Sequence, residues 1–188
     1  MKQIYARIGI LIYLVASSAA MVLYTGGNPI SPQYSRYAFF KNFLSDLGIR
    51  QGYNHSHTLP IVNILFEIAL IGAVIAFVAC FIQNTNKIIN IVTILAAGSI
   101  LLIGIIPADL YFLPHRIAFL SALLFITTAC TLTVSLKSTK KLSLFTFFLY
   151  GYLLWIFLAP QPGSSDMARL IHVGLQKVAV YGLLVALY

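Results

Sequence analysis

The sequence predicts an all-α fold: a polytopic membrane bundle of six transmembrane helices, with an amphipathic interfacial helix in the first extracytoplasmic loop. Three observations predict it. The 188 residues are 60% hydrophobic and 9% charged, with mean hydropathy +0.93, whereas a soluble domain carries roughly 25% charged residues. Six apolar stretches approach the about 20 residues that a helix needs to cross the hydrocarbon core. These stretches are long and unbroken, unlike the alternating segments of about ten residues that build a barrel.

The first stretch is 5–24. Lys2 and Arg7, an apolar run, then Ser17, Ser18, Ala19 and Ala20 resemble a signal peptide. Hydrophobicity continuing through Leu23 favours a first spanning helix instead. The second stretch, 59–82, holds Asn63 and Glu67. The third, fourth and fifth are 88–106, 116–136 and 142–160, with Ser, Thr and Tyr as interior polar residues. The sixth is 170–188. No connection is long enough for a second domain, so residues 1–188 read as one membrane domain. Cys80 and Cys130 lie toward one end of their helices and read as small apolar core residues.

The net charge of +8 does not point to nucleic acid. The basic residues are dispersed through the connections rather than gathered in a stripe. A bilayer with anionic lipids is the simpler partner. Two short connections, Gln83–Lys87 and Lys137–Lys141, share a side with Lys2 and Arg7. The positive-inside tendency makes that side cytoplasmic. Both termini then lie inside, as in a multi-pass protein of the cell (inner) membrane. The 25–58 loop, the 107–115 turn and the 161–169 loop lie outside. Arg36, Lys41, Arg50, Arg116 and Arg169 also fall outside, among Asp46, Asp109, Asp166, His55, His57 and His115.

Within the first outer loop, Tyr34–Gly48 is expected to be an amphipathic helix. Tyr37, Phe40, Phe43, Leu44 and Leu47 share one side at helical spacing, and Asn42, Ser45 and Asp46 the other. Gly48 is a natural stop. The polar face is expected to close over the outer end of the bundle.

Several polar residues lie where they are costly. Glu67 is about eight residues into the second helix, roughly 12 Å below its outer end. Lys177 is likewise eight residues into the sixth, so the two are expected at matching depth, as an ion pair or as a substrate or proton site. Arg169, His172 and Gln176 share a face of the sixth helix, and Asn63 and Glu67 a face of the second. Meeting faces would form a polar column. Pro107 and Pro114 bracket a tight crossing. Pro114 suits the first turn of the fourth helix, which would set His115 and Arg116 at a helix N-terminus that favours anions. An Asp109–His115 hydrogen bond would instead be a simple clasp.

Asp46, Asp109, His115 and His172 are zinc ligands by type, and His55-Ser56-His57 adds two imidazoles. No spacing specifies a metal: His172 is followed at i+4 by Gln176, not His. Ser45 has no sequence partner that makes it a nucleophile. Asp166 sits in a Gly-Ser loop and reads as ordinary surface.

Asn42-Phe43-Leu44-Ser45-Asp46-Leu47-Gly48 resembles the signature of the domain-of-unknown-function 998 membrane family. Gly104-Ile105-Ile106-Pro107-Ala108-Asp109, leading to His115, continues the resemblance, and Gly174-Leu175-Gln176-Lys177 is similar but looser. Residues 51–57 have no counterpart, and Gln176-Lys177 stands where a more basic pair is expected. The resemblance implies a six-helix bundle and favours Ser45, Asp46, Asp109 and His115 as site residues. It implies no reaction.

Three functions follow as alternatives. The first is an enzyme, most simply a hydrolase, acting on a lipid or lipid-linked anionic substrate at the extracytoplasmic face. Asp46 or Asp109 would be the acid/base carboxylate, His115 or His172 its partner, and Arg116 and Arg169 the head-group ligands. Asn42, Asn63, Glu67, Gln176 and Lys177 complete the candidate binding set. The second is a transporter or proton-coupled binder using Glu67 and Lys177, although no internal repeat is seen. The third is a non-catalytic membrane partner or assembly factor. Oligomeric state is left open.

Overall fold

The computed structural model describes residues 2–55, 57–82, 85–136, 140–158 and 165–187. Six helices alternate in direction: α1 (Lys2–Leu23), α2 (Pro60–Phe81), α3 (Lys87–Ile105), α4 (Phe112–Leu136), α5 (Lys140–Leu158) and α6 (Asp166–Leu187). All six are long and apolar enough to span a membrane. No strand occurs among the described residues, and the chain is a multi-pass helical membrane protein. The end carrying the long 24–59 connection is called the outer end below.

Local chemistry sets the helix starts. Pro60 opens α2 at a position where a missing N–H costs little. The Asn86 side chain accepts the Ile88 N–H at the start of α3, and Ser165 Oγ accepts the Ala168 N–H at the start of α6. The exposed Asp166 follows in the first turn, where the helix dipole favours an acid. Both α4 and α6 begin four residues before the expected 116 and 170. The connecting residues Gln83, Asn84, Lys137, Ser138, Thr139 and 159–164 lie outside the described residues.

Consecutive helices pack side by side, and α6 returns to α2. This closes α2 to α6 into a ring. α1 lies along α2, where both helices need glycine: a Cβ on Gly9 would stand 2.6 Å from the Gly72 carbonyl, and one on Gly72 2.7 Å from the Gly9 carbonyl. Tyr13 of α1 also meets Tyr181 of α6 edge to face. The stretch that resembles a signal peptide is thus packed here as a bundle helix.

The inner half of the core is built on Phe77, Phe81, Ile89, Leu142, Phe145 and Leu149 and includes Cys130. Cys80 is exposed and the two cysteines are unbonded. The hydroxyls of Thr93, Ser99, Thr127 and Thr146 each bond the carbonyl four residues earlier. The helix itself satisfies them, so they add no chemistry.

The expected Tyr34–Gly48 helix is not formed. Only Leu44–Gly48 is helical, as a short 3-10 turn. Side-chain hydrogen bonds, two of them within the segment itself, tie it down in place of a longer helical ladder. Asn42 Oδ1 accepts the Ala38 N–H, Asn42 Nδ2 donates to the Gly27 carbonyl, and the Tyr37 hydroxyl donates to the Phe43 carbonyl. Gly48 is required by close packing, since a Cβ there would stand 2.9 Å from the Phe66 ring. The apolar side divides: Leu44 and Leu47 are buried while Phe40 is 71% exposed.

Candidate functional site

The 38–53 segment folds down between the helices, and α2 and α6 grip its 3-10 turn from opposite ends. Gln176 Oε1 accepts the Leu44 N–H at 2.8 Å. Asn63 Nδ2 donates to the Leu47 and Ile49 carbonyls at 2.9 and 3.0 Å. The expected polar column between α2 and α6 is therefore split, because this segment separates its two halves.

Asp46 is buried at the centre of the segment. Its Oδ2 accepts from Asn42 Nδ2 and the Phe43 N–H, and its Oδ1 from the Tyr53 hydroxyl. The Arg169 guanidinium lies 3.6 Å away, reaches the Lys41 carbonyl, and stacks over Phe43 and Tyr53. Burial raises the Asp46 carboxyl above the usual carboxylate range. Arg169 and the three hydrogen-bond donors pull against that rise.

The expected Glu67–Lys177 pair does not form. Lys177 Nζ donates to the Asn42 carbonyl and lies over the Tyr37 and Phe39 rings. Glu67 lies 4.0 Å from Arg50, with both side chains nearly half exposed. The two side chains face different neighbours: Glu67 is half exposed beside Arg50, whereas Lys177 is buried against the 37–42 segment.

Asp109 and His115 do not clasp each other. Asp109 Oδ2 accepts the Arg50 and Gln51 N–H groups, pinning the loop to the α3–α4 crossing. His115 Nδ1 lies 2.6 Å from the Ile106 carbonyl. A carbonyl only accepts, so Nδ1 carries the hydrogen and Nε2 of the neutral ring keeps its lone pair. Because α4 starts at Phe112, Pro114 does lie in its first turn. The His115 N–H, however, is already bonded to the Tyr111 carbonyl, so that amide is not offered to an anion.

Asp46, Asp109, His115 and His172 all line one cavity of about 550 Å³ at the outer end. Ser45, Arg116, Arg169 and Gln176 line it too, with Phe43, Ile49, Phe112 and Phe119 among its apolar walls. His172 faces Trp155, ring centres 5.9 Å apart. Asn42, Asn63, Glu67 and Lys177 are not in the lining; Asn42, Asn63 and Lys177 hold the 38–53 segment that forms part of the wall. Below lies a second, almost wholly apolar chamber of about 120 Å³, to which all six helices contribute. Ser45, Phe119, Tyr152 and Gln176 line both chambers and form a waist between them. Tyr152 was not singled out by sequence; an α5 tyrosine carries no local signal of a cavity.

Among the described residues no three His, Cys, Asp or Glu side chains gather closely enough to hold a metal ion. Asp46, Asp109, His115 and His172 therefore share a cavity without forming a zinc-type cluster. His55 and His57 lie exposed on a turn in which His55 adopts φ 62°; Ser56 between them is outside the described residues. Comparisons of the chain with protein-family models, curated proteins and solved structures found no match.

Proposed function

We propose that the protein binds an anionic lipid or lipid-linked substrate in the outer cavity and hydrolyses it. The carrying observation is one chamber at the outer end of a membrane bundle that combines guanidinium, two imidazoles and apolar walls. Arg116 and Arg169 supply positive charge to an anionic head group. Arg169 acts mainly from the wall, because Asp46, Tyr53 and Lys41 already engage it.

His115 is the general base of this reading. Its Nδ1–H is held by the Ile106 carbonyl, which fixes the ring and leaves Nε2 to accept a proton. A water gives that proton to Nε2 as its oxygen bonds to the reacting centre of the ester. The bond to the leaving oxygen breaks, and the imidazolium returns the proton to that oxygen. His172 lies on the same cavity as the second imidazole. Asp46 serves as a positioning residue, because its oxygens are committed to the segment that carries Ser45. Asp109 holds the rim loop in the same way.

The basic residues Arg7, Lys87, Lys140 and Lys141 belong to the end opposite the cavity. By the positive-inside tendency that end is cytoplasmic, with both termini, and the cavity is extracytoplasmic in the cell membrane.

The test is hydrolysis of a panel of anionic phospholipids by detergent-purified protein. His115→Ala is expected to lower turnover by about a hundredfold, within the usual range for a general base. Arg116→Ala is expected to raise KM. Wild-type and H115A protein with equal turnover, at equal folding, would overturn the assignment.

A further inference from the structure

Resting on the outer-cavity reading above, we infer that the deep apolar chamber is the seat for the substrate's hydrocarbon chain, and that its floor sets the chain length accepted. The ligand class is then a phosphate-headed lipid that sends one chain down through the waist.

Three observations lead there. The deep chamber is lined by all six helices and almost wholly by carbon, so below the waist it offers little to a polar ligand. It adjoins the charged chamber directly, since four residues line both. The waist itself is polar on one side. Gln176 is buried, and its Oε1 is fixed by the Leu44 N–H, which settles the orientation of the amide. Its Nε2 donor then has no partner among the described residues, at the level where head group gives way to chain. The Ser45 hydroxyl at the same level is likewise unpartnered among them. A lipid entering head-up meets basic groups, then a hydrogen-bonding collar, then hydrocarbon.

The chamber has a defined length. From Phe119 at the waist to Ile126 on α4 is seven residues, roughly 10 Å. The same interval separates Gln176 from Leu183 on α6. Ala122 and Ala179 stand partway down, where small side chains leave the bore open. In a bilayer a chain would exchange one hydrocarbon surrounding for another, so the chamber selects by shape more than by hydrophobicity.

The probes are butyl, octyl, dodecyl and hexadecyl phosphate, with binding to full-length protein in detergent measured by calorimetry. Wild-type affinity is expected to rise with chain length and then level off once the chamber is filled. Ala179→Phe is expected to weaken octyl and longer phosphates about tenfold and to leave butyl phosphate unchanged. Ile126→Ala, which deepens the floor, is expected to move the levelling point to a longer chain, and it tests the inference even if A179F folds poorly. Arg116→Ala is expected to weaken every length equally. Unchanged length profiles in A179F and I126A, with R116A still weakened, would overturn the chain seat and leave the outer-cavity reading standing. Failure of every phosphate to bind wild-type protein would overturn both.

Discussion

Arg169 lies 3.6 Å from Asp46, and the two side chains are only 11% and 4% exposed. This is the one buried pair of opposite charges found among the described residues, and it ties α6 to the 3-10 turn of the first loop. Breaking a buried pair from one side leaves a charge without its counter-charge, at a typical cost of about 3–5 kcal/mol. Arg169→Ala is expected to shorten the thermal half-life in detergent markedly, since membrane bundles are better judged by rate than by equilibrium. Adding Asp46→Asn should recover part of that loss, because the stranded charge is then gone. A double variant as unstable as R169A alone would show that Arg169 acts by packing over Phe43 and Tyr53.

The raised Asp46 carboxyl makes stability depend on pH in a definite direction. A group whose folded pKa lies above its unfolded value contributes stability that is complete below the unfolded pKa. That contribution is lost as pH rises through the folded pKa. Relative to Asp46→Asn, which cannot ionise, wild-type protein should therefore lose ground as pH is raised from about 4 toward 7. Paired melting curves across that range check the sign. A gap that instead moves in favour of wild type as pH rises would mean that Arg169 and its neighbours outweigh burial.

Glu67 and Lys177 have separate partners, so their substitutions should be independent. Lys177→Met removes the donor to the Asn42 carbonyl and the contacts over Tyr37 and Phe39. Its cost is expected near 2 kcal/mol. Glu67→Gln leaves a half-exposed side chain beside Arg50 and should cost under about 1 kcal/mol. In a double-mutant cycle the two should add to within about 0.5 kcal/mol. A larger coupling would restore the ion pair expected from their sequence positions.

That expectation shows where the sequence was legible and where it was not. The six helices follow from long apolar runs, a signal that tertiary structure cannot easily override. The gathering of Asp46, Asp109, His115 and His172 around one cavity was readable from topology, which puts their elements at one end. Pairing was not readable. Glu67 faces Arg50 and Lys177 faces the 37–42 segment, and both neighbours come from a loop whose path the helix spacing does not show. The 34–43 segment has helical spacing, yet Gly27, fifteen residues from Asn42, and Lys177, far along the chain, took its polar groups. The waist was invisible for a similar reason, since Ser45, Phe119, Tyr152 and Gln176 come from four separate elements.

Asn63 offers a test of whether the 3-10 turn shapes the cavity from outside it. Asn63 does not line the cavity, but its amide N–H groups satisfy two carbonyls of the turn and its Oδ1 accepts from Arg50. Asn63→Ala leaves the Leu47 and Ile49 carbonyls without that donor, at an expected cost of about 1–3 kcal/mol. The turn also carries Ser45 at the waist and Asp46 at the wall, so loosening it should disturb ligand geometry as well as stability. Octyl phosphate affinity is expected to fall about five- to tenfold in N63A, with butyl phosphate falling alike, because the waist shifts rather than the floor. Asn63→Asp should be worse than N63A, since it faces two carbonyl oxygens with carboxylate oxygen in place of N–H. N63A protein that is destabilised but binds both phosphates as wild type does would show that α2 supports the fold alone, and that α6, through Gln176, holds the waist without it.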